Sequence, residues 1–159
     1  MKAFGSPLSV ALGLLLLAAQ PVVPAKAGLG ESVASVQTDR ASMKGQLRTR
    51  SEAGYTVQQI TTGAGTVVKE FVSPSGTVFA VSWWGPAVPD LQQLLGSYYV
   101  QFKTAAQAQR AQGRRSGHGH LEVRSPTLIV HAGGHMRQYF GMAYAPALLP
   151  ANLSVSDLH

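Results

Sequence analysis

The chain has 159 residues, with 13 Lys and Arg against 7 Asp and Glu, a formal net charge of +6, and no cysteine. That length suits one domain of ordinary size. The lack of cysteine excludes disulfides, thiolate nucleophiles, cysteine-ligated metals and a lipid-modified N-terminal cysteine, so packing alone must hold the fold.

Residues 1–27 read as a secretory signal peptide. Lys2 precedes an apolar stretch from Val10 to Ala19, and Ala25-Lys26-Ala27 places small residues at the first and third positions before Gly28. Pro21 and Pro24 end the apolar helix and leave the scissile segment extended. The apolar run is shorter than the about 20 residues a bilayer span needs. Cleavage near Ala27 removes 27 of 159 residues and leaves 132, without an integral membrane span. Lys2 and Lys26 leave with the signal, and the net charge falls from +6 to +4. The expected location is periplasmic or secreted. A nucleic-acid partner is not expected, because export removes it and the cations are scattered, with only Arg110, Arg114 and Arg115 clustered.

Residues 28–50 are polar and mixed in charge. Val33, Val36, Met43 and Leu47 roughly follow helical spacing, but Gly45 and many Ser and Thr weaken it, so a loosely ordered arm is expected. A single α+β domain should occupy residues 51–145. Tyr55 to Thr61 is rich in β-branched and aromatic residues and reads as a strand, with a Gly63-Ala64-Gly65 turn after it. Thr66 to Val72 is a second strand, Ser73-Pro74-Ser75-Gly76 a four-residue turn, and Thr77 to Trp84 a third strand. Short links predict an antiparallel meander. In the third strand, alternation puts Phe79, Val81 and Trp83 on one face and Val78, Ala80 and Trp84 on the other.

Gly85-Pro86-Ala87-Val88-Pro89 ends that strand. Asp90 can cap a helix, and Gln93 three residues on fits a capping box. Leu91, Leu94, Leu95, Tyr98, Phe102 and Ala105 form one apolar stripe, predicting a helix that runs through Gln112 to Gly113 and accommodates Gly96. Leu121 to Arg124 and Thr127 to His131 read as strand interrupted at Pro126, Ala132-Gly133-Gly134 as a turn, and His135 to Tyr144 as another strand. Residues 146–159 are an irregular tail. The expected fold is α+β, a mostly antiparallel sheet in the order βββ-α-ββ with one long helix packed on one face.

Gly65 to Phe71, Gly76 to Trp83, Gly85-Pro86, Pro89-Asp90-Leu91 and Leu94-Leu95-Gly96 resemble an uncharacterised family of short exported proteobacterial proteins, domain of unknown function 2844. The resemblance is distinctive between roughly Tyr55 and Phe102. It implies an exported bacterial protein and carries no catalytic or binding residue onto this chain.

Four histidines are candidate metal ligands. His118 and His120 lie in a Gly-rich loop after Arg115, and His131 and His135 flank the Ala132-Gly133-Gly134 segment. Imidazole binds zinc, copper or nickel, but the spacing matches no established site, and surface loop histidines are the favoured reading. Trp83 and Trp84, beside Gly85 and Pro86, could stack on sugars or seat a peptide, with Tyr98 and Tyr99 on the helix. The favoured reading puts Trp83 in the core and leaves Trp84 half covered. No Gly-x-Ser-x-Gly elbow is present. Ser82 and Ser116 are unpersuasive nucleophiles, and no carboxylate pair is placed for glycoside hydrolysis. Glu70 and Glu122 read as strand-surface residues and Asp90 as a cap. The chain is expected to be no enzyme and to need no cofactor or metal. The leading expectation is a non-enzymatic accessory or binding domain of the bacterial cell envelope whose partner is another envelope protein or a glycan. A small periplasmic metal-binding protein using His118, His120, His131 and His135 is the alternative.

Overall fold

The computed structural model describes residues 28–111 and 120–158. The signal-peptide expectation, His118 and the expected end of the long helix at Gly113 lie outside them. A helix α1 (Ser35–Ser42) comes first, followed by four strands, β1 (Gln46–Glu52), β2 (Tyr55–Thr61), β3 (Val67–Val72) and β4 (Val78–Gly85). Next come α2 (Leu91–Leu95), a 3-10 turn at Gly96–Tyr98, and α3 (Tyr99–Ala111). Three strands complete the sheet: β5 (Leu121–Arg124), β6 (Ile129–His135) and β7 (Gln138–Tyr144).

All seven strands form one antiparallel sheet in the order β1-β2-β3-β4-β7-β6-β5. Each half is a meander. The helical crossover after β4 sends the chain to the far edge, and β7 returns beside β4 at the centre. The α+β class and the long helix across one face are as expected. Two strands are additional. The segment read as a loosely ordered arm contributes α1 and the edge strand β1, whose alternating polar residues pair along the whole length of β2. Pro126 marks a reversal instead of an interruption: the Ser125 amide bonds the Leu128 carbonyl, and β5 and β6 become a hairpin.

The helices cover one face of the sheet. Val68 and Val72 of β3, Val81 and Trp83 of β4, Val130 of β6 and Ala143 of β7 meet Val36, Leu94, Leu95 and Phe102 there. Full burial of each such side chain is worth roughly 1.5–3 kcal/mol. The expected stripe of α2 and α3 is the packed face, with Leu94, Leu95, Phe102 and Ala106 buried and Leu91, Tyr98, Tyr99 and Ala105 flanking them. Gly96 takes φ 51° and ψ −124°, so the helix is interrupted at the 3-10 turn and resumes at Tyr99. Gly28 and Leu29 are tied in under α2, where the Leu29 amide donates to the Leu94 carbonyl at 3.0 Å.

A bulge corrects the face assignment in β4. Phe71 pairs with Ala80 and Val72 with Val78, leaving Phe79 as the extra residue. Val78 therefore joins the helix-side cluster, while Phe79 joins a second cluster on the opposite face with Val57, Phe71, Ala80 and Leu158. Residues 145–158 hold two short 3-10 turns and pack Leu148, Leu149, Leu153 and Leu158 against that opposite face. The strap covers one end only.

The hairpin between β6 and β7 differs from the expected one. Ala132, Gly133 and Gly134 continue the strand, and the turn falls at Met136-Arg137, between the paired residues His135 and Gln138. Both turn residues have positive φ, 49° and 67°, as a two-residue type I′ turn requires.

Candidate functional site

The face opposite the helices carries three transverse rows of side chains, set by the strand registers. The row furthest from the C-terminal strap runs Thr61, Val67, Trp84, Phe140, Gly133 and then His120. The middle row runs Arg48, Gln59, Lys69, Ser82, Met142, His131 and Glu122. In the third row Val57, Phe71 and Ala80 are buried beneath the strap. Two rows thus stay open to solvent.

The first of these is aromatic. Trp84 is 63% exposed and Phe140 42% exposed, and they are direct partners on adjacent strands. The His120 ring meets Phe140 edge-on at 5.7 Å. Gly133 makes that contact possible, because a Cβ there would lie 2.9 Å from the Phe140 ring and 3.0 Å from His120 Nδ1. Trp84, His120, His135, Gln138 and Phe140 border a hollow of about 200 Å³. Trp83, one residue away, is 3% exposed in the core as expected, whereas Trp84 is more open than the half-covered expectation.

The second row is basic at its β1 end. Arg48, Arg50, Gln59 and Lys69 border a hollow of about 300 Å³ floored by Val57. Arg50 is paired to Glu52 at 2.5 Å, while among the described residues Arg48 and Lys69 make no ion pair. At the other end of the row Glu122 is held by Arg124 Nε and lies 3.8 Å from His131 Nδ1. The Arg124 hydrogen bond, reinforced by its charge, keeps the Glu122 carboxyl below the usual range. Glu122 is therefore the exposed strand residue it was expected to be.

His120, His131 and His135 share the open face. Among the described residues, no three His, Cys, Asp or Glu side chains are grouped to hold a metal ion. No convergence of His131 and His135 across a tight Gly-Gly turn exists, because residues 132–134 are extended strand.

A second polar cluster lies on the helix side and escaped the sequence reading. Glu70 is fully buried, not a strand-surface residue: it shares its face of β3 with Val68 and Val72. Beside it is Asp39 of α1, also fully buried. Burial first, then the nearby Asp39 charge, push Glu70 up to about 9. Burial likewise raises Asp39, opposed by the hydrogen bond it accepts from Gln93. Among the described residues no hydrogen-bond partner reaches either Glu70 oxygen or Asp39 Oδ2, so burial favours the neutral form of Glu70. Gln93 Nε2 donates to Asp39 Oδ1 at 2.5 Å, and Ser42 Oγ donates to Gln93 Oε1 at 2.5 Å. Asp90 caps α2 as expected, accepting from the Gln92 and Gln93 amides. The Gln93 side chain reaches Asp39 instead of closing the capping box. The period-2 pattern Val68-Glu70-Val72 was the legible signal for burial; adjacent Lys69 masked it, since two consecutive charges do not reveal which one points inward.

Residues 25–158 match the family described as protein of unknown function DUF2844. The chain belongs to that family. No curated protein and no solved structure matches it.

Proposed function

We propose that this DUF2844 protein is an exported, non-enzymatic binding module of the bacterial envelope that holds its partner on the open half of the sheet. The observation that carries this reading is the exposed Trp84–Phe140 pair on a face whose other end is sealed by the C-terminal strap. Adjacent exposed aromatics on a rigid strand pair offer a large contact area at little conformational cost. The buried Asp39–Glu70 pair makes a poor catalytic dyad, because the helices cover it and both carboxyls are fully enclosed. Export rests on the Lys2, Val10–Ala19 and Ala25-Lys26-Ala27 pattern, and intact-mass measurement of the protein recovered from the periplasm tests it. A species that retains residues 1–27 refutes export with cleavage.

The binding face is tested by photo-crosslinking in the producing cell, with the reactive residue placed at 84, 140 or, on the solvent side of α3, at 103. Adducts from 84 and 140 but not from 103 support the reading. Adducts from 103 alone refute it.

A metal-binding role is the second reading, favoured by His120 and His135 bordering one hollow. Calorimetric titration with zinc and copper, repeated on His118→Ala/His120→Ala, decides it. Binding lost in that variant supports a metal site; no heat of binding ends it.

A further inference from the structure

We infer that the ligand of the open sheet face is an acidic polysaccharide whose sugar rings lie on Trp84 and Phe140 and whose carboxylates reach Arg48 and Lys69. This rests on the binding-face reading above and adds the chemical class of the ligand.

The placement follows from sheet geometry. Arg48, Gln59 and Lys69 are successive partners on β1, β2 and β3, so with strands about 4.8 Å apart they line up over roughly 10 Å. Trp84 neighbours Lys69 diagonally: Lys69 pairs with Ser82, two residues before Trp84 on the same face. That is one strand across and one pleat repeat along, on the order of 8 Å between Cα atoms. A sugar ring on the indole therefore has its ring substituents within reach of the flexible Lys69 ammonium.

The chemistry at the two ends differs in the way such a polymer requires. Pyranose rings present an apolar C–H face, which stacks on an exposed aromatic, and Trp84 and Phe140 supply two adjacent platforms. The planar Arg48 guanidinium matches a carboxylate through two parallel N–H donors. Gln59 and Ser82, in the same row, add donors and acceptors suited to hydroxyl groups. Charge complementarity selects an anion, since Arg48 and Lys69 have no ion-pair partner among the described residues and Glu52 is engaged by Arg50. The acidic member of the row, Glu122, stands at the opposite edge of the sheet and is tied to Arg124.

The same combination of cations and aromatics can hold single-stranded nucleic acid, so the test contains that competitor. Binding of the purified protein to polygalacturonate is measured by calorimetry beside its methyl-esterified form, dextran sulfate and single-stranded oligo(dT), for wild type, Arg48→Ala/Lys69→Ala and Trp84→Ala. The expected result is binding of polygalacturonate that weakens roughly tenfold or more on esterification, in the double variant and in Trp84→Ala. These side chains are solvent-facing, and unchanged melting curves for the variants confirm that the loss is local. Equal binding of free and esterified polymer, with loss only in Trp84→Ala, overturns the acidic specificity and leaves the binding face standing. Dextran sulfate bound as well by Trp84→Ala as by wild type, with polygalacturonate no better, overturns ring stacking in favour of charge alone. Tighter binding of oligo(dT) overturns the glycan. Failure of all polymers to bind also overturns it, whereas the binding face is refuted separately by crosslinks from position 103 alone.

Discussion

Glu70 of β3 and Asp39 of α1 are neighbouring carboxyls buried inside the core, where enclosure raises both and holds Glu70 neutral well above the usual carboxylate range. Gln93 of α2 donates to Asp39 and so ties α2 to α1 beside Glu70. The two carboxyls stay enclosed together only while one is neutral, because two buried like charges cannot share the site.

Stability should therefore decline with rising pH. Glu70 titrates at 4.5 in the unfolded chain and about 9 in the fold, so the folded state binds the extra proton across that window. Its contribution is complete below about pH 4.5 and is lost as pH rises through about 9. Each pKa unit corresponds to about 1.4 kcal/mol, so the contribution lost is on the order of a few kcal/mol. Urea denaturation at several pH values checks this, with Glu70→Gln as comparison. The stability of Glu70→Gln relative to wild type should grow from pH 5 to pH 9 by about 2 kcal/mol or more. A constant difference would show that Glu70 is already ionised in the fold.

Adjacent tryptophans should behave in opposite ways. Trp83→Ala empties the core beneath α3 and should cost about 3–5 kcal/mol. Trp84→Ala removes a mostly exposed ring and should stay within about 0.5 kcal/mol of wild type. Thermal melts compare the two directly, and the fluorescence of Trp84 alone should be quenched readily by iodide.

Two glycines of the hairpin are spacers for rings on opposite faces. A Cβ at Gly141 would lie 2.1 Å from the Trp83 ring, which is locked in the core. Gly141→Ala should therefore cost about 2–3 kcal/mol. At Gly133 the obstructed groups are the rims of Phe140 and His120, both exposed, and these can swing outward. Gly133→Ala should cost about 1 kcal/mol or less while shifting the Phe140 ring signals in NMR spectra. Equal destabilisation by the two substitutions would contradict the difference in burial.

The Met136-Arg137 turn places two residues with side chains in the left-handed region. Relief of that strain by Met136→Asn/Arg137→Gly should raise stability by about 1 kcal/mol or more. A shift in the melting midpoint measures it. No gain would show that the exposed Met136 and Arg137 side chains offset the strain through contacts of their own.

The strands from Tyr55 to Trp84 were legible because β-branched residues and Pro-Gly turns punctuate them, and the stripe from Leu91 to Ala105 because helical spacing repeats along it. Less of the open face was legible: Trp84 beside Gly85-Pro86 was read as half covered, and its partner Phe140 could not be assigned. That pairing needs β7 to return beside β4, a contact across 56 positions that local patterning does not encode. For the same reason Arg48 looked like part of a polar arm until β1 paired with β2.

Sequence by itself thus determined the local states, namely which segments extend, which coil into a helix, and where turns are cheap, since these follow from side-chain shape and the period of apolar residues. It also determined family membership through the motifs from Gly65 to Gly96. Tertiary structure alone decided which side of each strand meets water. One bulge at Phe79 reverses the faces of Val78 and Phe79, one helix covers Glu70, and one strap leaves Trp84 and Phe140 open. Burial is a property of what packs against a residue, and those neighbours come from distant parts of the chain.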